Sequence, residues 1–406
     1  MPDHAHPAWL AAGGQAGGGD RALVNIRRLL LTDFRNYARL DVEPAAGLNL
    51  LVGANAQGKT NLLESILFLA VFRSPRAARE AELIRWGAEE AQAACVVARG
   101  GAAGNTEGRL EVRLRREGPK TVLWNGNTLR PQDALGILTA VSFFPDDLDL
   151  VKGAPAGRRR LLDVLLCQAD GLYRRHLARL QRVLRHRNAQ LRALQGQARA
   201  AGLLEVWDEQ LLAESVPVLL RRARAVRRLG EWAAALHGRI TGGKERLELR
   251  YQPFFAAEGR ESGGPTDAWE DADAVRSLME AALRRRQGEE IARGVSLVGP
   301  QRDDVRFLID GADARSFASQ GQQRTAVLAC KLAELEFLRA ETGAYPVLLL
   351  DDVLSELDAS RRAYLLEAVG ETVQTFVTAA HLDPLPEGLL GRARTFRVER
   401  GTAVPV

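Results

Sequence analysis

The sequence predicts an α/β protein in which a mixed sheet with an antiparallel β lobe is interrupted along the chain by an inserted helical arm domain. Three observations predict this fold class. Short apolar runs are followed by helical periodicity at residues 48–72 and again at 321–378, as in a sheet covered by helices. Residues 73–144 contain alternating polar and apolar runs, which are typical of antiparallel strands. Residues 158–236 are helical in pattern almost throughout.

We expect four segments along the chain. Residues 1–22 are Gly-rich and aperiodic, which predicts a disordered leader outside the fold. Residues 23–155 form the N-terminal part of the α/β domain, residues 156–293 the helical arm, and residues 294–406 the C-terminal part. A chain of 406 residues is long enough for this arrangement.

The composition excludes several classes of protein. The chain is 46% hydrophobic and 26% charged, which indicates a globular protein. No run approaches the roughly 18 apolar residues of a membrane span, and no secretory signal is recognisable. The three cysteines, Cys95, Cys167 and Cys330, lie too far apart in sequence for a disulfide framework or a CxxC metal site. We therefore expect a cytoplasmic protein without a membrane partner, whose net charge of +5 suits a polyanion.

The first motif is a strand, a glycine-bounded turn and a helix in direct succession. Residues 48–52 (LNLLV) predict a short buried strand, and residues 61–72 (NLLESILFLAVF) a strongly apolar helix. Between them, residues 53–60 (GANAQGKT) match GxxxxGK[ST]. In this strand-loop-helix context the pattern predicts a loop that binds the phosphates of a nucleotide.

The chemistry of phosphate binding explains each of the residue types in the loop. Gly53 and Gly58 allow the backbone to turn its N–H groups toward phosphate oxygens. Lys59 can reach the β- and γ-phosphates, and the hydroxyl of Thr60 can bind Mg²⁺. The helix that follows adds the positive end of its dipole.

A second motif follows a buried strand near the C-terminus. Residues 347–350 are apolar, and Asp351 and Asp352 come directly after them. In phosphate-loop ATPases the first carboxylate at such a strand end holds Mg²⁺. Asp352 can act as the base, or as the group that orients the attacking water.

A third motif, SQGQQR at residues 319–324, precedes a predicted helix at residues 321–341. Ser319 and Gly321 at a helix start can bind an anion, although a serine here is also an ordinary N-cap. Because the chain now has two helix starts suited to phosphate, we expect each nucleotide to lie between the loop of one copy and Ser319–Arg324 of another.

The arm is predicted to be an antiparallel helical hairpin. In its first helix a heptad-like series of apolar residues is interrupted by Arg187. Its second helix, residues 206–229, contains Pro217, where we expect a kink. The apolar series is Tyr173, Leu177, Leu180, Leu184, Leu191 and Leu194.

The start of the arm is rich in arginine. Arg175, Arg179 and Arg182 share one helix face, which could follow a phosphate backbone; without further evidence a plain solvated surface is the favoured interpretation. No aromatic residue lies among these arginines, so binding of duplex DNA is favoured over reading of single strands. The whole basic set is Arg158, Arg159, Arg160, Arg174, Arg175, Arg179, Arg182, Arg185, Arg187 and Arg192.

Taken together, the motifs resemble the RecF family of recombination and repair ATPases, which are related to SMC and ABC-type heads. Their order along the chain is that of the family, and they run from about residue 24 to residue 360. The matching segments are FRNY at 34–37, GANAQGKTN at 53–61, FFPDDLDLVKGAPAGRRRLLD at 143–163, GPQRDD at 299–304, SQGQQR at 319–324 and LLLDDVLSELD at 348–358.

The resemblance implies an ABC-type ATPase head split by a helical arm. It also implies an ATP-dependent homodimer that binds double-stranded and gapped DNA and works with RecR to direct RecA in recombinational repair and replication restart. The implied cofactors are ATP and Mg²⁺, with slow hydrolysis stimulated by DNA.

The resemblance also assigns roles to individual residues. Asp351 is the Mg²⁺ carboxylate together with Thr60, while Lys59 and Asp352 are the catalytic residues. The residues expected to contact the nucleotide are Arg35, Asn36, Gly53, Asn55, Gly58, Lys59, Thr60 and Asn61 in one copy, and Ser319, Gly321 and Gln322 in the other.

Two positions depart from the family pattern. Gln301 stands where the family has His in GPHRDD, so no role is carried over to its side chain. His381 lies near the place of the switch histidine of ABC heads but two residues late, so a surface histidine is the favoured interpretation.

Three alternatives follow from the same motifs. A transporter ATPase subunit would place its phosphate loop and SQGQQR-like motif closer together and would lack the basic hairpin. An SMC-type DNA organiser would need a far longer coiled coil. A scaffold that binds ATP with little or no turnover stays open, because Asp352 is shorter than the Glu of many ABC-type relatives.

Overall fold

The computed structural model describes residues 23–100, 106–195, 201–257, 269, 271–369, 372–380 and 391–406. The predicted leader and His381 lie outside the described residues. The chain forms two compact units, one made of residues up to Asp147 together with Glu334–Val406, the other of Leu148–Ala333. The second unit contains the predicted arm but begins before it and ends after it.

The first unit contains an antiparallel sheet with the strand order β2-β1-β4-β5-β6-β7. The turn between its last two strands is Asn125-Gly126, with φ of 50° and 83°. Both residues are thus left-handed, as in the type I′ hairpin that this dipeptide predicts. The strands are β1 Val24–Phe34, β2 Tyr37–Val42, β4 Glu90–Arg99, β5 Thr106–Arg115, β6 Thr121–Trp124 and β7 Asn127–Leu129.

The first unit also contains a mixed sheet with the order β15-β14-β3-β13-β12-β8. Its strands are parallel except for β15, which pairs antiparallel with β14. The strands are β3 Leu48–Val52, β8 Ala140–Phe143, β12 Val347–Leu350, β13 Thr375–Ala379, β14 Arg394–Glu399 and β15 Thr402–Pro405. The expected mixed sheet with an antiparallel lobe is therefore confirmed.

Helix α1, Lys59–Val71, is buried along most of its length. It contacts β8, β12 and β13 of the mixed sheet and β4 and β5 of the antiparallel sheet. A helix covered on opposite sides has no polar face, which explains why residues 62–70 are all buried, including Glu64 and Ser65. The other helices of this unit are the short α2 Pro131–Ala134 and α10 Val353–Glu356, α11 Ala359–Val369, and the end of α9 Gln320–Thr342.

The second unit is mainly helical, with a small sheet of order β11-β10-β9. Among the described helices, none is both long enough and apolar enough to cross a membrane. Its elements are α3 Asp149–Lys152, α4 Pro155–Ala169, α5 Gly171–Ala193, α6 Glu205–Ile240, β9 Leu247–Gln252, α7 Ala272–Arg293, β10 Asp304–Ile309, β11 Ala312–Asp313, α8 Ala314–Phe317 and the start of α9.

Helices α5 and α6 form the predicted antiparallel hairpin. Three ion pairs join them: Asp170 with Arg221, His176 with Glu214, and Arg187 with Asp208. The residue numbers of the α6 partners fall as those at α5 rise, so the two helices run antiparallel.

Helix α6 is longer than predicted. It runs without interruption through Pro217 and ends at Ile240, not at Leu229. Gly230 lies within the helix where β9 packs closely, since a Cβ there would be 3.5 Å from Leu249. The kink at Pro217 stays a prediction.

Arg187 is not a break in the apolar series but a buried member of it. Its guanidinium donates to Asp208 Oδ1 at 2.7 Å, to Glu290 Oε2 at 2.7 Å and to Ser296 Oγ at 2.8 Å. Arg187 and Glu290 both expose 0% of their side chains. This ion pair network joins α5, α6 and α7, so Arg187 does not belong to the predicted basic surface.

Arg158 is a second buried arginine of the predicted basic set. It forms a two-point ion pair with Asp304, at 2.6 and 2.9 Å, and donates to the carbonyl of Leu150. The neighbouring Asp303 accepts from Arg222 and Tyr251. The GPQRDD segment thus anchors α4, α6 and β9 through its two aspartates.

Replacing Arg187 with methionine should destabilise the protein strongly. The variant leaves Glu290 buried without its cation, and breaking a buried ion pair from one side costs about 3–5 kcal/mol. The measurement is equilibrium urea unfolding. The control is Arg185→Met on the exposed face of the same helix, which should leave the unfolding free energy nearly unchanged. Equal effects of the two variants would contradict the importance of the network.

Candidate nucleotide-binding site

The phosphate loop has the predicted strand-loop-helix context. Strand β3 ends at Val52, and α1 begins at Lys59. Ala56 and Gly58 have positive φ values of 64° and 118°, and alternation of left- and right-handed residues is what turns successive N–H groups inward to bind an anion. Asn55 is exposed on the loop.

The turn between β1 and β2 braces this loop. Asn36 Nδ2 donates to the carbonyl of Gln57 at 2.9 Å, and Asn36 Oδ1 accepts from Asn61 Nδ2 at 2.9 Å. The hydroxyl of the buried Tyr37 donates to the carbonyl of Gly58 at 3.0 Å. The FRNY segment therefore holds the end of the loop that leads into α1, and any side chain at Gly58 would meet Asn36, since a Cβ there would lie 2.5 Å from Nδ2.

The turn between β14 and β15 braces the loop from another direction. Gly401 N donates to the carbonyl of Gln57 at 3.1 Å, and Arg400 N donates to Gln57 Oε1 at 2.8 Å. Sequence reasoning missed these residues. The Arg-Gly pair between two alternating runs could have indicated a hairpin, but nothing local indicates that the hairpin reaches the loop.

Lys59 points into the loop. Its Nζ donates to the carbonyls of Gly53 and Ala54 at 2.6 and 2.9 Å. Burial lowers the pKa of Lys59, and the nearby carboxylates of Asp352 and Asp351 oppose this shift. The amine is thus placed where a phosphate oxygen could replace the carbonyls as its acceptor.

Thr60 and Asp351 are brought together as predicted. Thr60 Oγ1 donates to Asp351 Oδ1 at 3.0 Å, and Thr378 Oγ1 donates to the same oxygen at 2.9 Å. Burial raises the pKa of Asp351, while both hydroxyls act in the opposite direction. Asp352 follows with a left-handed φ of 53° and an exposed side chain, and its N–H donates to Thr378 Oγ1 at 2.8 Å.

The donor set fits Mg²⁺ bound together with a substrate. Within the described ranges no group of three or more His, Cys, Asp or Glu residues could hold a metal. Instead, one hydroxyl and one carboxylate meet: Thr60 at the start of α1 and Asp351 at the end of β12. Mg²⁺ typically takes one or two protein ligands and completes its shell with water and phosphate oxygens.

Arg35 is held against α1. Its guanidinium forms a two-point ion pair with Glu64, at 2.7 and 2.9 Å, and donates to the carbonyl of Glu82 at 2.8 Å. Glu64 is fully buried and also accepts from Ser74. The contact of Arg35 with the nucleotide stays a prediction, whereas its part in fixing α1 is visible.

Ser319, Gly321 and Gln322 belong to the second unit, at the start of α9. Ser319 N donates to Gln322 Oε1 at 2.8 Å, and Gln322 N donates to Ser319 Oγ at 3.2 Å. This is a capping box, so the N-cap interpretation of Ser319 is confirmed. Gln322 Nε2 also donates to Glu245 at 3.1 Å, which fixes the orientation of the amide.

The three arginines proposed for DNA are exposed on one face of α5. Arg175, Arg179 and Arg182 all lie at the surface of the second unit, and Arg179 Nη1 lies 3.6 Å from Glu214 Oε1. A single exposed ion pair of this kind is weak, so the face keeps its positive character.

A cavity of about 390 Å³ opens beside the phosphate loop in the first unit. The loop contributes Gly53, Ala54 and Gln57, and β14 contributes Thr395, Arg397 and Val398. Gly53 is needed at this edge because a Cβ would lie 2.2 Å from the carbonyl oxygen of Val398.

The loop, the paired acids and the two sheets define a phosphate-loop ATPase with an ABC-type head. The family model described as the RecF/RecN/SMC N terminal domain matches residues 25–389. The DNA replication and repair protein RecF of Gloeobacter violaceus is 46% identical over 378 residues, which cover 93% of this chain and 97% of that protein. Its counterpart from Symbiobacterium thermophilum is 46% identical over 382 residues, with the same coverage.

Solved structures lead to the same family. The recombination mediator protein RecF-ATP of the RecFOR pathway is 30% identical, with a TM-score of 0.85, and the match covers 97% of this chain and 100% of that one. An SMC head bound to the C-winged helix domain of ScpA is 16% identical with a TM-score of 0.52 and shares the fold alone. The chain belongs to the RecF family, which confirms the resemblance of its motifs.

Replacing Gly401 with alanine should weaken ATP binding. Its φ is 75°, and a Cβ would lie 2.1 Å from the carbonyl oxygen of Asn36, so both turns that brace the loop must shift. The measurement is equilibrium dialysis with ATP. The matched control is Gly343→Ala, where φ is 77° and no atom lies within 4 Å of the added Cβ. The control carries the same backbone strain without the clash, so equal losses in the two variants would contradict the bracing.

Proposed function

We propose that this chain is a DNA-binding ATPase of recombinational repair and replication restart, which dimerises with ATP on duplex DNA near gaps. The observation that carries the proposal is the convergence of Lys59, Thr60, Asp351 and Asp352 at the ends of neighbouring elements in the first unit. A phosphate-binding helix start, a metal-binding pair and a further carboxylate are the parts that ATP hydrolysis needs.

The loop binds the phosphates of ATP. Its N–H groups and the N-terminus of α1 attract the negative charge, and Lys59 exchanges the carbonyls of Gly53 and Ala54 for phosphate oxygens. Thr60 and Asp351 would hold Mg²⁺, which would neutralise negative charge on the phosphates during hydrolysis. Thr378 keeps the Asp351 carboxylate oriented through its hydroxyl.

The strand order of the mixed sheet indicates how the bound nucleotide is oriented. Strand β3 lies between β13 and β14, and the acids follow β12 on the β13 side. The γ-phosphate therefore faces that side, and the nucleoside leaves the loop on the β14 side. The cavity of about 390 Å³ lies there, within the range of roughly 300–1,000 Å³ for small-molecule sites.

Asp352 is the group that positions and deprotonates the attacking water. Its backbone is fixed by the hydrogen bond from its N–H to Thr378, while its side chain is exposed at the end of β12. A carboxylate one residue beyond the metal ligand can reach a water molecule beside the γ-phosphate without becoming a ligand of the metal. An aspartate reaches less far than a glutamate, which is consistent with slow turnover.

Each nucleotide-binding site is completed by a second copy of the chain. Ser319, Gly321 and Gln322 of that copy would face the γ-phosphate, with the start of α9 directed at the negative charge. The capping box uses Ser319 Oγ as an acceptor, so its proton remains available for a phosphate oxygen. Two such sites in one isologous homodimer follow from twofold symmetry.

The DNA partner is duplex DNA, bound through Arg175, Arg179 and Arg182. Membership of the RecF family supports gapped DNA as the biological substrate, and RecR as the partner with which RecA is directed onto it. The arginines supply affinity through phosphates, which carries little sequence preference.

The first test separates binding from hydrolysis. Asp352→Asn should bind ATP and form a stable dimer, while its turnover falls by about 10²–10⁴, the usual contribution of a positioned base. Lys59→Met should instead lose ATP affinity, dimerisation and turnover together. Phosphate release with and without duplex DNA, and sedimentation with and without ATP, measure these effects.

Two outcomes would change the assignment. Turnover near the wild-type rate in Asp352→Asn would place the base elsewhere. A wild-type protein that dimerises with ATP but releases no phosphate, even with DNA, would favour the ATP-binding scaffold over the enzyme.

The second test concerns the DNA surface. Changing Arg175, Arg179 and Arg182 to Glu should weaken duplex binding and reduce the slope of log affinity against log salt by about 0.9 for each phosphate that the protein no longer neutralises. ATP binding should not change. Fluorescence anisotropy over a salt series measures both affinity and slope.

The control triple is Arg27, Arg39 and Arg115, which are exposed on the antiparallel sheet. Changing them to Glu alters the net charge by the same amount. If the control variant loses as much duplex affinity as the α5 variant, the proposed surface is wrong.

A further inference from the structure

Trp86 exposes 94% of its surface in the first unit. Tryptophan is a largely buried residue in most proteins, and no step of the proposed ATPase cycle uses this side chain. An indole held in water on a folded domain indicates a binding surface, because Trp combines a large flat ring with little conformational freedom to lose.

The turn that carries Trp86 is fixed from both sides. Ala88 N donates to the carbonyl of Arg85 at 3.0 Å, and Gly87 has a φ of 87°, as in a type II turn with Trp86 at its second position. Arg85 N donates to the carbonyl of Asp33 at 2.7 Å. The ring is therefore presented by a rigid turn at the end of the antiparallel sheet.

Arg116 braces the same turn and adds positive charge. Its Nε donates to the carbonyl of Ala88 at 2.7 Å, and its Nη2 to that of Arg85 at 3.4 Å. Arg85 and Arg116 face Asp33 and Glu89 at 3.4 and 3.9 Å, in partly exposed pairs. Such pairs are weak, so the Arg85 guanidinium can turn to a phosphate, while Arg116 keeps its two carbonyl contacts and offers its remaining N–H groups.

The surroundings favour a nucleic acid over a protein partner. Protein hot spots are clusters of aromatic and aliphatic anchors that fill pockets. Among the described residues of the antiparallel sheet and its connecting turns, Trp86 is the one large apolar side chain that is exposed. A single exposed aromatic ring on a turn that also carries two arginines is instead suited to an unpaired base and its flanking phosphates.

We propose that Trp86 stacks on one unpaired base of single-stranded DNA, with Arg85 and Arg116 binding the phosphates beside it. This site is additional to the duplex surface on α5 and lies in the other unit. The inference rests on the proposed function in taking DNA as the partner, but it needs neither ATP nor the α5 arginines.

The test compares a dT oligonucleotide with a blunt duplex, both without nucleotide, by fluorescence anisotropy. Trp86→Ala should weaken dT binding about five- to a hundredfold, as for the loss of one stacked base, and should leave duplex affinity unchanged. Trp86→Phe should recover much of the loss, because a smaller aromatic ring still stacks. Phe317→Ala, which removes another aromatic with 78% exposure, should leave dT binding unchanged.

Tryptophan emission gives a second measurement. Binding of dT should quench the wild-type emission, and this quenching should be absent in Trp86→Phe. Unchanged dT affinity in Trp86→Ala, equal losses for dT and duplex, or quenching that persists in Trp86→Phe would each overturn the proposal. Failure of duplex binding in the α5 variant, with dT binding intact, would affect the proposed duplex surface and not this one.

Discussion

The burial of helix α1 between two sheets is the constraint on which the nucleotide site depends. The helix touches strands of both sheets, so its N-terminus, where Lys59 and Thr60 lie, cannot move independently of either. Glu64 is the polar exception inside this contact. Its charge is compensated by the two-point pair with Arg35 and by Ser74, and a buried carboxylate without such partners would be costly. The turn that supplies Arg35 also supplies Asn36 to the loop, so one short segment fixes both the helix and the loop.

Local chemistry explains why much of the site could be predicted from the sequence. The GxxxxGKT pattern and the apolar strand before Asp351 carry their own structural context, and the structure places Thr60 against Asp351 as expected. The brace from Gly401 could not be predicted, because it depends on β14 pairing with β3 across most of the chain. The capping box at Ser319 is local and was predictable. Its role toward a second copy is a property of an assembly and stays a proposal.

Arginine content was the least reliable guide to the second unit. A count along the sequence treats all arginines as equal, yet Arg158 and Arg187 are buried in ion pairs while Arg175, Arg179 and Arg182 are exposed. The acidic partners of these two buried arginines are distant in sequence: Asp304 pairs with Arg158, and Glu290 pairs with Arg187. Helical periodicity could have distinguished Arg187, because it occupies an apolar position of the heptad-like series, but Arg158 lies before that series. An arginine at a core position predicts a buried acid elsewhere in the chain.

The identity of residue 352 reflects a conflict between backbone and side chain. The position has a φ of 53°, which is costly for most residues but less so for Asp and Asn, whose short polar side chains can hydrogen-bond locally. Among the described residues, half of the eight non-glycine positions with positive φ are Asp or Asn, namely Asp33, Asn125, Asp310 and Asp352. A glutamate at 352 would reach one carbon further toward the attacking water but would lose this local compensation. Aspartate therefore lowers the strain of the turn after β12 at the expense of reach, which links the backbone conformation to the slow turnover proposed for this chain.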